Sequence, residues 1–261
     1  NIKGIERIIK RRIKWYNIDC TSETEMNDLF SKENTIKGTI HFAAYKSVEE
    51  SVKNPQKYYT NNIDSLNILL DKMLKYDVKN IIFSSSCTVY GMPEILPVDE
   101  NAEFKKAESP YAETKQICEK IINDNICNSV SLRYFNPIGN HKSSLIGDCS
   151  KDKLSNLVPI IAEVAIGKRK EMIIYGNDYN TTDGTCIRDY IHVEDLATSH
   201  VKSMDFLINN PGKYIFNVGA GIGISVLDVI RAFEKKNNIK INYCFGQRRN
   251  GDIEEIYANC N

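Results

Sequence analysis

Short apolar runs alternate along this chain with longer stretches whose apolar residues recur at helical spacing. Residues 13–19 read as a first strand with an acid, Asp19, near its carboxyl end, and residues 21–30 as a short helix. Thr39-Ile40-His41-Phe42-Ala43-Ala44 is a short strand that runs into a loop carrying Lys46. After Asn54-Pro55, the residues Tyr58, Tyr59, Ile63, Leu66, Leu69, Leu70, Met73 and Leu74 keep a helical period, interrupted by Asn61 and Asn62. Residues 78–86 form a buried strand ending in three serines. A helix opens at Ser109-Pro110, and residues 129–135 form a further strand ending in Asn136-Pro137. Strands alternating with helices predict a parallel sheet with right-handed crossovers, an α/β fold.

Beyond residue 138 the alternation loosens. Residues 139–152 are polar and loop-like, 156–165 an amphipathic helix and 172–175 a strand. Residues 188–195 lead into a helix reaching Met204, and 213–218 form a strand. Ser225-Val226-Leu227-Asp228 is a capping box opening a helix to Lys235, and residues 239–245 are a last strand that runs into Arg248-Arg249-Asn250-Gly251-Asp252. Gly219-Ala220-Gly221-Ile222-Gly223 sits where a dinucleotide fingerprint would. It lacks the third glycine spacing, and no βαβ unit with an acid follows, so it reads as a tight strand-to-helix turn. His192 has no nucleophile arrangement around it and reads as structural.

In sheets of this kind ligands bind at the carboxyl ends of the strands. Those ends carry Asp19, Ala43-Ala44, Ser84 to Ser86, and Phe135-Asn136, so four strands place polar or small residues on one rim. Tyr111 and Lys115 lie four apart, one turn apart on one helical face. An ammonium beside a phenol stabilises its anion, so the spacing predicts a Tyr111 pKa below the usual value near ~10 and a general acid/base. Taken alone, Y-x-x-x-K better describes a solvated helix surface; the populated rim favours a site.

The chain has 261 residues, enough for one large domain or a main domain with a satellite. Lys+Arg and Asp+Glu balance at 34 each, which argues against a nucleic-acid surface. No apolar run is long enough to span a bilayer, and no signal-peptide pattern is read, so no membrane is expected. The eight cysteines are scattered, without C-x-x-C or zinc spacing. They read as free thiols in a reducing cytoplasm, with no metal site.

Specific motifs then add a resemblance. They are Phe83-Ser84-Ser85-Ser86-Cys87-Thr88-Val89-Tyr90-Gly91, Ser109-Pro110-Tyr111-Ala112-Glu113-Thr114-Lys115, and Arg133-Tyr134-Phe135-Asn136-Pro137-Ile138-Gly139. Tyr175-Gly176-Asn177-Asp178-Tyr179, the run from Asp183 to Val193, and Arg248-Arg249-Asn250-Gly251-Asp252 extend them. With these the chain resembles, over nearly its whole length, the UDP-glucose 4-epimerase family of extended short-chain dehydrogenases/reductases.

The resemblance implies interconversion of UDP-glucose and UDP-galactose. NAD would take hydride from the sugar C4, and a 4-keto sugar would turn over and take it back on its other face. Tyr111 would be the base for the 4-hydroxyl, Ser86 would hydrogen-bond the same oxygen, and Lys115 would hold the nicotinamide ribose and lower the tyrosine pKa. Further cofactor contacts implied are Asp19, Cys20, Phe42, Ala43, Ala44, Tyr45, Lys46, Asn61 and Phe135. Implied substrate contacts are Asn136, Asn156, Leu157, Ile173, Ile174, Tyr175, Arg188, Arg249 and Asp252; guanidinium forks suit a diphosphate.

The implied architecture is a doubly wound parallel sheet over residues 1–138 and a smaller UDP-sugar domain over 139–261, with 181–218 partly returning to the sheet. A homodimer through helices that include residues 58–73 and 111–122 is also implied. The departures are Ala44 where the family has glycine, Tyr45 for a leucine-like residue, and Ile256 where the family tunes pocket size for N-acetylated sugars. The family's first two strands and glycine-rich phosphate turn have no counterpart here. The expectation is therefore a fragment that neither binds NAD nor folds stably by itself. Two other readings compete: a 4,6-dehydratase or decarboxylase, and an inactive nucleotide-sugar-binding protein. Dehydratases carry an acidic pair beside the catalytic hydroxyl, whereas Cys87-Thr88 follows Ser86.

Overall fold

Strand pairing in the computed structural model, which describes residues 1–148, 154 and 156–260, bears out the parallel α/β reading. Helices α1 (Ile2–Ile9) and α2 (Glu23–Lys32) come first, then strand β1 (Thr39–His41). Helices α3 (Val48–Lys53), α4 (Pro55–Tyr59) and α5 (Ser65–Lys75) follow, then β2 (Asn80–Ser84), α6 (Pro110–Asp124) and β3 (Asn128–Tyr134). The second half holds β4 (Asn136–Ile138), α7 (Leu157–Ala165), β5 (Met172–Tyr175), β6 (Ile187–His192) and α8 (Val193–Asn209). It closes with β7 (Lys213–Val218), β8 (Gly223–Ser225), α9 (Val226–Asn237), β9 (Tyr243–Gly246) and β10 (Glu255–Ile256).

The main sheet has the order β1-β2-β3-β7, every pair parallel. Both faces are covered, as parallel sheets require. On one face, Met26 and Phe30 of α2, Leu66, Leu69, Leu70 and Met73 of α5, and Cys118 and Ile122 of α6 pack on Ile81 and Phe83. On the other, Leu207 of α8 packs on Ile82, Val130 and Leu132. A smaller sheet, β10-β6-β4 with β8 beside β6, continues from the end of β3, and the β5-β9 pair packs on α7 and α9.

Several expectations shift. Residues 12–19 join no sheet, and Trp15 is 58% exposed. An extended segment becomes a strand only against a partner, and among the described residues none lies beside it. Strand 39–44 shortens to β1, which leaves Phe42 to Ala44 as loop. The long helix breaks into α4 and α5 around a π-helical turn, Thr60–Asp64, centred on the two asparagines. Helix α1 escaped the sequence reading, although Ile2, Ile5 and Ile9 fall at helical spacing. The last strand begins at Tyr243, not at residue 239. The glycine turn at 219–223 leads into β8 before the helix. Positions 149–152 of the polar stretch lie outside the described residues.

Asp189, fully buried in β6, explains that glycine turn. Its carboxylate accepts from the main-chain N–H groups of Ala220 (2.7 Å), Gly221 (3.0 Å) and Ala258 (3.1 Å). A Cβ on Gly219 would stand 2.3 Å from this carboxylate, so the chain can approach the acid only with glycine there. His192 is structural, as read: its Nδ1 accepts from Glu194 N at 3.2 Å and caps α8.

Candidate active site

The site is built where β2 ends and α6 begins. Ser109 Oγ accepts from Ala112 N at 3.2 Å, and Pro110 occupies the first turn, so α6 starts where the sequence placed it. Tyr111, Lys115 and Glu119 then recur every fourth residue, and all three are buried. The face they share looks onto the serines that leave β2.

Each serine does something different. Ser84 Oγ donates to Tyr134 Oη at 3.0 Å, while its main-chain oxygen accepts from Lys115 Nζ at 2.6 Å. Ser85 Oγ donates to Glu119 Oε1. Ser86 Oγ accepts from Thr88 N at 3.3 Å, opens the 3₁₀ turn Cys87–Tyr90, and neighbours the Tyr111 phenol. Behind them, Arg133 is buried against Glu119 with Nη2–Oε2 at 2.7 Å. It also donates from Nη1 to Tyr90 Oη (3.1 Å) and Glu100 O (3.0 Å). The sequence reading gave Glu119 and Arg133 no role; Glu119 at one further turn past Lys115 was the available signal.

The electrostatics differ from the expected Tyr–Lys pair. The Lys115 ammonium stands over the Phe83 ring, 4.7 Å from its centroid, and 6.0 Å from that of Tyr111. Its hydrogen bond goes to Ser84. Burial pushes the Tyr111 phenol up from its ordinary value, with Tyr134 adding to the rise and the Ser86 hydroxyl opposing it. Burial likewise holds Lys115 down to about 8. Spacing on a helix fixes which face a group occupies; desolvation, which spacing does not report, sets the direction here.

His41, at the end of β1, is also buried. Its ring stacks on Phe83 at 6.2 Å, and burial first, then the Lys115 charge, press its pKa down to about 4 from 6.5. A folded pKa below the unfolded one means stability that is present above pH 6.5 and lost as pH falls through about 4. His41→Gln should flatten that acid limb, which amounts to about 3 kcal/mol at most. Urea midpoints measured from pH 7 to pH 4 check it; an unchanged limb would assign the loss to other groups.

The loop after β1 holds most of the residues for which cofactor contacts are implied. Phe42 is 57% exposed, Ala43 and Ala44 are half-buried, and Tyr45 and Lys46 are exposed. Buried Asn62 pins this loop. Its Oδ1 accepts from Tyr45 N (2.8 Å), and its Nδ2 donates to Tyr45 O (3.1 Å) and Thr114 Oγ1 (3.2 Å) of α6. Asn61 lies beside it and donates to Asn62 Oδ1 at 3.0 Å. Both amides were visible in the sequence; that the inward one is Asn62 follows from the π-helical turn, a device found often at functional sites. Asp19 is exposed and accepts from Thr21 N and Oγ1 at 2.8 and 2.7 Å, which lowers its pKa; Cys20 is half-buried. Phe135 is buried beside Tyr90 and Ile256.

The implied substrate contacts lie mostly in the second half, which approaches Ser86 through Arg188 and Cys87. Asn136 pairs with Tyr190 across β4 and β6, and Arg188 of β6 pairs with Ile256 of β10. The Arg188 charge acts on the thiol of Cys87, the neighbour of Ser86, and its Nη1 donates to Ile187 O at 2.8 Å. Arg249 grips Asp252 with two bonds, 2.8 and 3.1 Å, and stands 5.0 Å from the Tyr175 ring centroid. Ile173 and Tyr175 are exposed, whereas Ile174 points the other way into the core with Ile161 and Ile230. That alternation withdraws the Ile174 side chain from the implied contacts. Asn156 precedes α7 and donates to Asp148 Oδ2 at 3.5 Å; Leu157 packs beside the same core.

The NAD dependent epimerase/dehydratase family model matches residues 3–219. A UDP-glucose 4-epimerase of Drosophila melanogaster is 43% identical, covering 98% of this chain and 75% of the relative. One of Haemophilus influenzae is 42% identical, covering 99% and 78%. Among solved structures, a UDP-glucose 4-epimerase from Bifidobacterium longum in complex with NAD+ and UDP superposes with a TM-score of 0.93. It is 43% identical and covers 99% of this chain and 78% of that one. The chain belongs to the NAD dependent epimerase/dehydratase family, among its UDP-glucose 4-epimerases.

Proposed function

We propose that this chain interconverts UDP-glucose and UDP-galactose by transient oxidation at the sugar C4. The observation that carries this reading is the cluster of Ser86, Tyr111 and Lys115 at the carboxyl end of a parallel sheet, with Arg188 arriving from the second half.

Tyr111 exchanges the proton of the sugar 4-oxygen, and Ser86, beside it, orients that oxygen. Bound NAD supplies reversible two-electron oxidation at C4. The residues present fit it: among the described residues the buried Lys115 ammonium makes one hydrogen bond, to Ser84 O, which leaves donors for ribose hydroxyls. Phe42, Ala43, Ala44, Tyr45, Lys46, Asn61 and Phe135 would line its nicotinamide half, with Asp19 and Cys20 at the adenine end. Asn136, Asn156, Leu157, Ile173, Tyr175, Arg188, Arg249 and Asp252 hold the nucleotide sugar, the arginines facing the diphosphate. Residues 1–138 form the cofactor side and 139–261 mainly the sugar side, with 181–218 partly returning to the main sheet, where β7 pairs with β3. We place the protein in the cytoplasm as a homodimer paired through α4, α5 and α6. Among the described residues no helix is long and apolar enough to cross a membrane, and within the chain Tyr59 Oη donates to Glu113, joining α4 to α6.

The deciding experiment supplies the NAD-loaded protein with UDP-galactose and no NADH. UDP-glucose should appear, approaching a fixed ratio, with no net change in NADH absorbance. Net NADH accumulation, or a dehydrated sugar as product, would refute the reading.

A further inference from the structure

Two consecutive arginines lie on two tyrosines that flank the exit of β5. Arg249 stands over Tyr175; Arg248 stands over Tyr179, 4.0 Å from the ring centroid. Each arginine also holds an aspartate. Arg249 takes Asp252, within the proposed nucleotide site. Arg248 donates from Nε to Asp178 Oδ1 at 2.8 Å and from Nη2 to the Asp178 main-chain oxygen at 2.5 Å. Nothing in the chemistry described above uses this second set.

Its placement gives it a use. Strands β5 and β9 are neighbours, with Tyr175 opposite Gly246, and Gly176 N donates to Gly246 O at 2.9 Å. Gly176 has φ +83°, and a Cβ there would stand 2.4 Å from Tyr179 Cε2. The loop is thus folded tightly back onto its own tyrosine, a turn that only glycine makes without strain. Arg248, arriving from the β9 side, fastens that folded loop by a stack and a fork on one planar group. An exposed arginine–aspartate pair adds little to stability, so the effect of these contacts is direction. Tyr175 is the residue before Gly176, and Arg249 is the residue after Arg248. Fixing Arg248 on 178–179 therefore fixes the Arg249–Tyr175 stack.

We propose that Arg248 is a positioning residue for the nucleoside diphosphate end of the substrate. By clamping the 176–179 loop to the β9 exit, it holds Arg249 and Tyr175 in the arrangement that receives the diphosphate and its base. This rests on the reading of Tyr175 and Arg249 as substrate contacts.

UDP titrated calorimetrically into the NAD-loaded protein, with steady-state kinetics on UDP-galactose, tests it. Arg248→Leu should raise both the Kd for UDP and the KM about 5–20-fold, with kcat within about twofold, since binding and not the transition state alone is affected. Arg248→Lys, which keeps the charge but neither fork nor flat stack, should fall between. Asp178→Asn should weaken UDP binding about 2–5-fold through the lost charge-assisted bond. A folded Arg248→Leu protein with wild-type UDP affinity, or one that loses kcat at unchanged KM, overturns the proposal. Should Arg248→Leu not fold, wild-type affinity in both Arg248→Lys and Asp178→Asn overturns it equally. Wild-type protein that does not bind UDP would bring down the site reading and this inference with it. Binding by wild type and Arg248→Leu alike brings down the inference alone.

Discussion

Tyr111→Phe is expected to lower kcat by about 10²–10⁴-fold, the range a positioned acid/base contributes, while NAD and UDP remain bound. The substitution removes one oxygen from a side chain that is 7% exposed, so the packing of α6 on β2 should survive. With burial raising its pKa, the Tyr111 phenol is protonated at neutral pH in the structure described. It is then ready to return a proton to the sugar oxygen; taking one requires the anion to be stabilised. The groups placed to do so are the Ser86 hydroxyl beside it and the Lys115 ammonium. Lys115 keeps its charge below its folded pKa of about 8 and loses it as pH rises through that value. Wild-type kcat should therefore fall on the alkaline side of pH 8, and the trace of activity left in Tyr111→Phe should not follow that limb. Full activity in Tyr111→Phe would mean that Tyr111 is not the base.

The elements that carry the site were legible because each is specified locally. Ser109-Pro110 could be read as a helix start, and the capping oxygen is found on Ala112 N. The serines after Phe83 could be read as a strand end, and β2 ends at Ser84. What was not legible depends on groups distant in sequence. The Lys115 ammonium makes its hydrogen bond to a carbonyl 31 residues earlier, a partner that its four-residue spacing from Tyr111 does not report. Residues 13–19 have the pattern of a strand, but a strand is a property of pairs, and among the described residues no partner lies alongside. In sequence the run 173–175 reads as one contact surface; the period of two in β5 sends Ile174 into the core and leaves Ile173 and Tyr175 outside. In sequence Asn62 is an interruption of the helical period, and its use as a pin between the β1 loop and α6 appears only once α4 and α5 are broken by the π-helical turn.

Arg133→Met is expected to cost about 3–5 kcal/mol of folding stability, the range for removing one partner of a buried ion pair. Arg133 and Glu119 are 3% and 6% exposed, and the guanidinium meets the carboxylate through Nε and Nη2. Its flat faces lie near Tyr90 and Phe104, 4.9 and 5.0 Å from the ring centroids. Among the described residues, removal of the arginine leaves Glu119 buried with the Ser85 hydroxyl as its remaining partner, together with a Tyr90 hydroxyl that keeps only its bond to Asn217. The loss should therefore come from the stranded carboxylate rather than from missing attraction. That distinction is testable, because Arg133→Met combined with Glu119→Leu removes both charges and should recover most of the stability. Urea unfolding of wild type, both single variants and the double variant at pH 7 measures the coupling. The same substitutions bear on the site, since Glu119 fixes Ser85 and Ser85 lies between Ser84, which holds Lys115, and Ser86, which neighbours Tyr111. The double variant, restored in stability, should still lose kcat, because the hydroxyl of Ser85 no longer has an acceptor to fix the serine run. Equal stability in Arg133→Met and wild type would show that the pair is not held dry in solution, and full kcat in the double variant would show that the serines are positioned by β2 alone.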